Sequence, residues 1–214
     1  FTNLGFDPDA LRDKYREERD KRLRQDGNDQ YIEVKGDFSR YVDDPYVQLG
    51  FSRESIDAEI EVIIIGGGFG GMLAAARLRE IGIDDFRIIE KGGDFGGTWY
   101  WNRYPGASCD IESYVYFPLL EKTEFVPKQK YTNAPETLEY CGVISEKYSL
   151  HENALLQTEV TATEWDEELG RWKVSTNRAD SILAKYVVHS NGPLNRPKLP
   201  AIRGINDYKG HTFH

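Results

Sequence analysis

The stretch that decides the fold is EIEVIIIGGGFGGMLAAARLREIGI, residues 59–83. Val62 to Ile65 form an unbroken apolar run, the pattern of a parallel strand covered on both faces. The run stops at Gly66-Gly67-Gly68-Phe69-Gly70-Gly71, which satisfies G-x-G-x-x-G. Beyond it, Ala74, Ala75, Leu78 and Ile81 fit one face of a helix, and Gly82 stands where a C-terminal cap belongs. The reading is strand, glycine turn, helix. Gly66 permits the tight turn, Gly68 lets the backbone approach a pyrophosphate, and Gly71 lets the helix pack closely on the strand. Phe69 and Gly70 fill the turn between them. A helix N-terminus placed there offers unpaired N–H groups and a positive dipole end to phosphate oxygens.

Working outward, DDFRIIEK (residues 84–91) reads as a second strand, Phe86 to Ile89, ending at Glu90. A carboxylate about 20 residues beyond the glycines is placed to accept hydrogen bonds from ribose hydroxyls. It also repels a 2′-phosphate, so the nucleotide expected here is NAD or FAD and not NADP. A tight turn without any ligand is the alternative. Three glycines in register with a strand, a helix and an acid make that turn hard to justify.

Lys91 to Ser113 reads KGGDFGGTWYWNRYPGASCDIES. A simple dehydrogenase would continue with another helix and strand. This chain instead spends the length on an irregular loop bearing Trp99, Tyr100, Trp101 and Tyr104. An extended flavin nucleotide needs such a second platform, because its ring system lies far from the adenine. Gly96 and Gly97 allow close backbone approach, and the aromatics can wall a flat ring. The same aromatics can also be ordinary core.

Residues 92–130 as a whole read as irregular. Residues 135–148 read as a helix, LLQTEVTATEWD and RWKVSTN as a β-hairpin turning near Glu167–Gly170, and ILAKYVVHSNG as a strand returning to Gly192. Upstream, Asp7-Pro8 is a helix start. Leu11 to Arg24 is densely charged with both signs, the pattern of a solvated surface helix, with a partner-binding helix as the alternative. Residues 26–58 read as loop and linker, punctuated by Gly27, Gly36, Pro45 and Gly50.

Composition narrows the function. With 214 residues and a net charge of −9, the chain lacks the basic face that nucleic acid requires. Two cysteines, Cys109 and Cys141, do not make a disulfide scaffold or a redox dithiol, so a reducing cytoplasm is the expected setting. No apolar run approaches the roughly 20 residues of a membrane span, and the N-terminus lacks a signal-peptide core. Phe1 in place of Met implies that the numbering does not start where translation does. His151, His189, His211 and His214 are dispersed, so no metal site is expected.

The segment Gly96–Asp110 resembles the signature of Baeyer–Villiger monooxygenases, GG-x-WYWNRYPG-x-x-CD, nearly without interruption. Tyr208-Lys209-Gly210-His211-Thr212-Phe213-His214 is similar to the start of that family's fingerprint, F-x-G-x-x-x-H-x-x-x-W, with Tyr in place of the first Phe. The resemblance covers roughly residues 55–214. It implies an α/β, Rossmann-like FAD-binding fold, a parallel sheet with helices plus a β-hairpin or meander, truncated before the NADP domain. It further implies FAD and NADPH as cofactors, and a ketone and O₂ as substrates. In the family, NADPH reduces FAD, the reduced flavin forms a C4a-peroxide with O₂, and the peroxide converts a ketone to an ester or lactone.

Residue by residue, the resemblance puts Gly66, Gly68, Phe69, Gly70 and Gly71 on the FAD pyrophosphate. Glu90 and Lys91 fall at the adenosine end, and Gly97, Thr98, Trp99, Tyr100 and Trp101 at the flavin half. Tyr116, Val160 and Gly192 fall at further FAD contacts. Ser108, Cys109 and Asp110 fall on the nicotinamide side, and Asp110 is the catalytic candidate, orienting an active-site arginine. The family often carries Arg where this chain has Ser108, so a nicotinamide contact there is expected to be weakened or moved. The expected organisation is a helical extension and linker over 1–58 and an incomplete FAD-binding domain over 59–214. Two other functions stay open: a bare FAD-binding module without turnover, and a flavin N- or S-monooxygenase, which WYWNRYPG disfavours.

Overall fold

The computed structural model describes residues 5–48 and 50–212; Phe213 and His214 of the fingerprint lie outside the described residues. The chain forms two compact units. One is Asp44–Arg196, and the other takes in the described parts of Phe1–Asp43 and Pro197–His214.

In the smaller unit, helix α1 (Pro8–Asp20) starts at the expected place. The Asp7 carboxylate accepts from the Asp9 N–H at 2.9 Å and the Ala10 N–H at 3.3 Å, capping the helix, and Pro8 occupies its first turn. No residue of α1 is buried, and Arg12–Asp9 and Arg16–Asp13 pair along its surface. The stretch 26–58 is more ordered than a linker. It holds 3₁₀ turns at Gly27–Gln30 and Gly36–Tyr41 and a strand β1 (Tyr31–Glu33). Strand β1 pairs antiparallel with β8 (Lys198–Pro200), setting Ile32 opposite Leu199. Local sequence cannot show a partner that far away.

The larger unit contains β2 (Asp57–Ile65), α2 (Phe69–Glu80), β3 (Phe86–Ile89), three one-turn helices α3 (Thr98–Trp101), α4 (Ser113–Tyr116) and α5 (Leu120–Thr123), then α6 (Ala134–Lys147), β4 (Ala154–Leu155), β5 (Val160–Asp166), β6 (Arg171–Thr176) and β7 (Ser181–His189). Its sheet runs β4-β3-β2-β7-β6-β5. Strands β4, β3, β2 and β7 are mutually parallel, and β5 and β6 are antiparallel. The Rossmann-like arrangement expected from the sequence is present. The hairpin is not an appendage, because β6 pairs with β7 and continues the same sheet.

Strand β2 is central and feeds two cores. Val62 and Ile64 pack with Met72, Ala75 and Ala76 of α2 and with Tyr140 and Ile144 of α6. Ile63 and Ile65 pack with Val174, Ile182 and Ala184. Ile63 and Ile64 are fully buried, a contribution of about 1.5–3 kcal/mol each.

The core-facing side of α2 includes the expected Ala74, Ala75 and Leu78 together with Gly71, Met72 and Ala76, whereas Ile81 is 71% exposed. The helix ends before Ile81, so that side chain leaves the stripe. Gly82, at φ +80°, closes the helix: its N–H donates to Arg79 O and that of Ile83 to Leu78 O, a Schellman motif.

The larger unit begins at Asp44, upstream of the change of pattern at Glu59. Arg53 explains part of this. Its guanidinium reaches both oxygens of Asp180, at 2.7 and 2.5 Å, and Thr158 Oγ1 at 3.2 Å. Nearby, Arg178 donates to Phe51 O at 2.8 Å. No described helix is long and apolar enough to cross a membrane.

Candidate functional site

The site is built where β2 hands over to α2. Gly66 has φ +108°, and a Cβ there would stand 2.6 Å from Ser190 O at the end of β7. A Cβ on Gly71 would lie 1.8 Å from Gly66 O, so the helix can approach its strand only without one. Gly68 is the N-cap of α2 and offers no side chain to the first turn. The N–H groups of that turn therefore remain for an outside acceptor. Phe69, the first helical residue, turns its ring to Tyr116 (5.6 Å between centroids) and Phe117 (6.1 Å).

Glu90 follows β3 and is 6% exposed. Its Oε2 accepts from the Gly67 N–H at 2.5 Å and its Oε1 from the Gly92 N–H at 2.6 Å. Burial pushes its carboxyl above the usual carboxylate range, opposed by the two amides. The residue expected to meet a ribose thus also shapes the glycine loop, and each oxygen retains a second lone pair. Lys91 points to Glu159 Oε1 at 3.5 Å.

The aromatic loop comes back onto the glycine turn. The Gly96 N–H donates to Gly67 O at 2.9 Å. Gly97, at φ +52°, caps α3, and a Cβ on it would meet Gly68 Cα at 2.8 Å. Trp99 and Tyr100 are buried and Thr98 and Trp101 half-buried. Trp99 Nε1 donates to Tyr116 Oη at 3.0 Å, their rings edge to face. Burial raises the Tyr116 phenol pKa, opposed by the hydrogen bond from Trp99.

Asp110 is exposed and makes no hydrogen bond or ion pair among the described residues. Its neighbours are tied down. Ser108 bridges to Asn133, and the N–H of Cys109 donates to Thr132 O at 2.9 Å. Cys109 is buried as a free thiol, and burial lifts the pKa of Cys141 to about 12. A cavity of about 760 Å³ opens beside this segment, its walls including Trp99, Tyr104, Ala107, Ser108, Ala134 and Leu138.

Gly66 is therefore brought against Gly71, Gly68 against Gly97, and Phe69 and Trp99 against Tyr116, while Glu90 reaches the glycine turn through Gly67. Gly70 and Gly192 lie near the β7 end. A Cβ on Gly70 would touch Ser190 Cβ at 3.6 Å, and Gly192, at φ +63°, turns the chain just beyond. Val160 opens β5 and packs into the Ile63 core. Sequence reasoning missed Asp44, which accepts from Tyr100 Oη at 2.7 Å and the Gly93 N–H at 3.0 Å. It lies in a stretch read as linker, and only its place before Pro45 and Tyr46 marks it.

A family model described as "Pyridine nucleotide-disulphide oxidoreductase" matches residues 63–214. The chain belongs to that family. It is 49% identical to neopentalenolactone D synthase of Streptomyces avermitilis, over 97% of this chain and 35% of that protein. It is 46% identical to Baeyer-Villiger monooxygenase ATR8 of Stachybotrys chlorohalonatus, over 99% of this chain and 34% of that protein.

Among solved structures, the polycyclic ketone monooxygenase from Thermothelomyces thermophila superposes with a TM-score of 0.84 at 36% identity, covering 96% of this chain and 36% of that one. OTEMO, solved in complex with FAD and NADP, does so with a TM-score of 0.68 at 32% identity, covering 72% of this chain and 30% of that one. The chain spans about a third of the length of the curated relatives it matches. The resemblance to Baeyer–Villiger monooxygenases carried by Gly96–Asp110 and the Rossmann-like fold are both borne out.

Proposed function

We propose that the chain supplies the FAD site of a monooxygenase that uses NADPH and O₂ to insert one oxygen atom beside a ketone carbonyl, giving an ester or lactone. The relatives and their names support this reading, as does OTEMO with FAD and NADP. The observation that carries it is the meeting of Gly68 and Gly97 beneath the uncapped first turn of α2. It joins a phosphate-binding helix end to an aromatic platform, the two halves an adenine–flavin dinucleotide needs.

The donor set fits that group. The amides of Gly68 to Gly71 would hold the pyrophosphate, with the α2 dipole favouring its charge. Glu90 would accept from the adenosine ribose, with Lys91 beside it. Thr98 to Trp101 and Tyr116 would bound the flavin half, and Val160 and Gly192 would complete the contacts. FAD, when bound, would supply hydride acceptance and oxygen activation. The protein's part is to orient it, exclude water and place charge. Asp110, exposed and unpaired among the described residues, would hold an arginine cation, and Ser108 and Cys109 would lie on the nicotinamide side.

Titration with FAD and FMN tests the cofactor. FAD should bind tighter, because the glycine turn serves the adenosine diphosphate half; equal or tighter FMN binding would overturn the assignment. For the reaction, the full-length protein should consume NADPH and form ester from cyclic ketones. NADPH oxidation yielding only hydrogen peroxide across a ketone panel would count against it.

A further inference from the structure

We propose that Asp44 is a positioning residue for the dinucleotide site, one that fixes the spacing between the glycine segments 66–71 and 96–97. This rests on the cofactor reading above. Adjacent amides of the turn after β3 donate to two different carboxylates: Gly92 to Glu90 Oε1 at 2.6 Å, and Gly93 to Asp44 Oδ2 at 3.0 Å, shared with Tyr100 Oη at 3.0 Å. Glu90 Oε2 holds the Gly67 N–H, and so the first glycine segment. Asp44 Oδ2 also accepts from Tyr100 Oη at 2.7 Å. Tyr100 in turn donates its own N–H to Gly97 O at 3.0 Å, the second glycine segment. Gly97 abuts Gly68, so the path closes on itself. Asp44 is the one link in this ring that comes from upstream of β2.

Its neighbours hold it there. A Cβ on Gly93 would run into the Val47 side chain and stand 2.7 Å from Tyr100 Oη, so residues 44–47 press directly on this turn. Arg103 lies over the Tyr46 ring at 3.7 Å and over Tyr100 at 4.7 Å, and the two tyrosines meet edge to face at 5.6 Å. Tyr100 is 3% exposed. Burial and its bond to Asp44 both raise its phenol pKa, so it remains a hydrogen-bond donor throughout the neutral range. A buried phenol without its acceptor must find another or shift, and a shift of Tyr100 moves Gly97 with it.

The test uses the full-length protein with Asp44→Ala, Asp44→Asn, Tyr100→Phe, the double variant Asp44→Ala/Tyr100→Phe, and, as a control, Arg178→Ala, which lies between β6 and β7 and holds the same upstream segment through Phe51 O rather than through Asp44. The measurements are FAD dissociation constant, visible circular dichroism of the bound flavin, and melting temperature of the apoprotein. Asp44→Ala and Tyr100→Phe should each weaken FAD roughly tenfold and change the flavin spectrum. The double variant should lose less than the sum of the two single losses, because each single variant already removes the Tyr100–Asp44 hydrogen bond, although only the double variant leaves the Gly93 N–H without either acceptor. Asp44→Asn, which keeps an acceptor oxygen, should recover most of the affinity. Arg178→Ala should lower the melting temperature and leave FAD affinity unchanged.

Wild-type affinity and spectrum in Asp44→Ala would overturn the proposal. So would additive losses in the double variant, or an equal loss of FAD affinity in Arg178→Ala. Should Asp44→Ala fail to fold, Tyr100→Phe decides, and unchanged FAD binding there overturns it. A wild-type protein that does not bind FAD would instead sink the cofactor reading itself.

Discussion

Gly68 and Gly97 meet backbone to backbone, but the contact is asymmetric. A Cβ on Gly97 would lie 2.8 Å from Gly68 Cα at φ +52°, whereas a Cβ on Gly68, at φ −78°, would lie 3.5 Å from Gly97 Cα, an ordinary contact. The two alanine variants should therefore separate fold from ligand. Gly97→Ala should destabilise the apoprotein by about 1–3 kcal/mol. Gly68→Ala should leave apoprotein melting nearly unchanged and largely abolish FAD binding, since its Cβ makes only an ordinary contact with the protein but would stand where the pyrophosphate is proposed to lie. Thermal unfolding and flavin titration measure both, and intact FAD affinity in Gly68→Ala would show that the loop is not the phosphate site.

Glu90→Gln removes one acceptor oxygen from a carboxylate holding two amides, and should cost about 1–3 kcal/mol. Burial holds the Glu90 pKa above its ordinary value. The protonated form is thus favoured by folding. That contribution is complete below the ordinary carboxylate range and is lost as pH rises through the raised value. The stability gap between wild type and Glu90→Gln should narrow as pH rises from the ordinary carboxylate range through the raised Glu90 value. A gap that widens would mean the amides outweigh burial.

Asp180 behaves in the opposite sense. Arg53 holds its pKa down to about 2 against the cost of burial, with help from Thr176 and the Ile56 N–H. Its contribution is present above the ordinary aspartate value and is lost as pH falls through about 2. Asp180→Asn should destabilise by on the order of 2 kcal/mol at neutral pH, with the difference closing below about pH 4. Denaturant melts across that range give the result directly; a pH-independent difference would contradict it.

Asp110→Ala, made in the full-length protein, should retain FAD and lose ketone oxygenation by roughly 10²-fold, the scale of one preorganised electrostatic group. NADPH-dependent flavin reduction should slow as well, because Ser108 and Cys109 share its segment. Rapid-mixing reduction rates and ester yield separate the two effects. Wild-type values for both would make Asp110 an ordinary surface carboxylate.

The parts of the site legible in the sequence are those carried by short-range pattern. The bounds of β3 follow from an apolar run that ends at an acid. The tasks of Gly66 and Gly71 follow from the geometry of any strand–helix turn, and residues 135–148 read as the helix that the structure shows as α6. Ile81 misled because periodicity does not reveal where a helix stops, only which face it would have had. The pairing of Ile32 with Leu199 and the grip of Asp44 on Tyr100 depend on contacts between remote segments, and no local propensity encodes them. Glu90 was legible as an acid at the right distance, but not as the carboxylate that braces Gly67 and Gly92.

The anchoring of residues 44–53 bears on how this protein can be handled. An expression clone started at the apolar run of β2 would keep every glycine of the motif and look complete on paper. It would also discard the acceptor beneath Tyr100, one of the two acceptors of the Gly93 amide, and the guanidinium that neutralises Asp180. Such a product would carry a buried carboxylate without its cation and an aromatic loop without its brace, so insolubility there would say nothing about cofactor chemistry. The working N-terminal limit for a shortened protein lies ahead of Asp44.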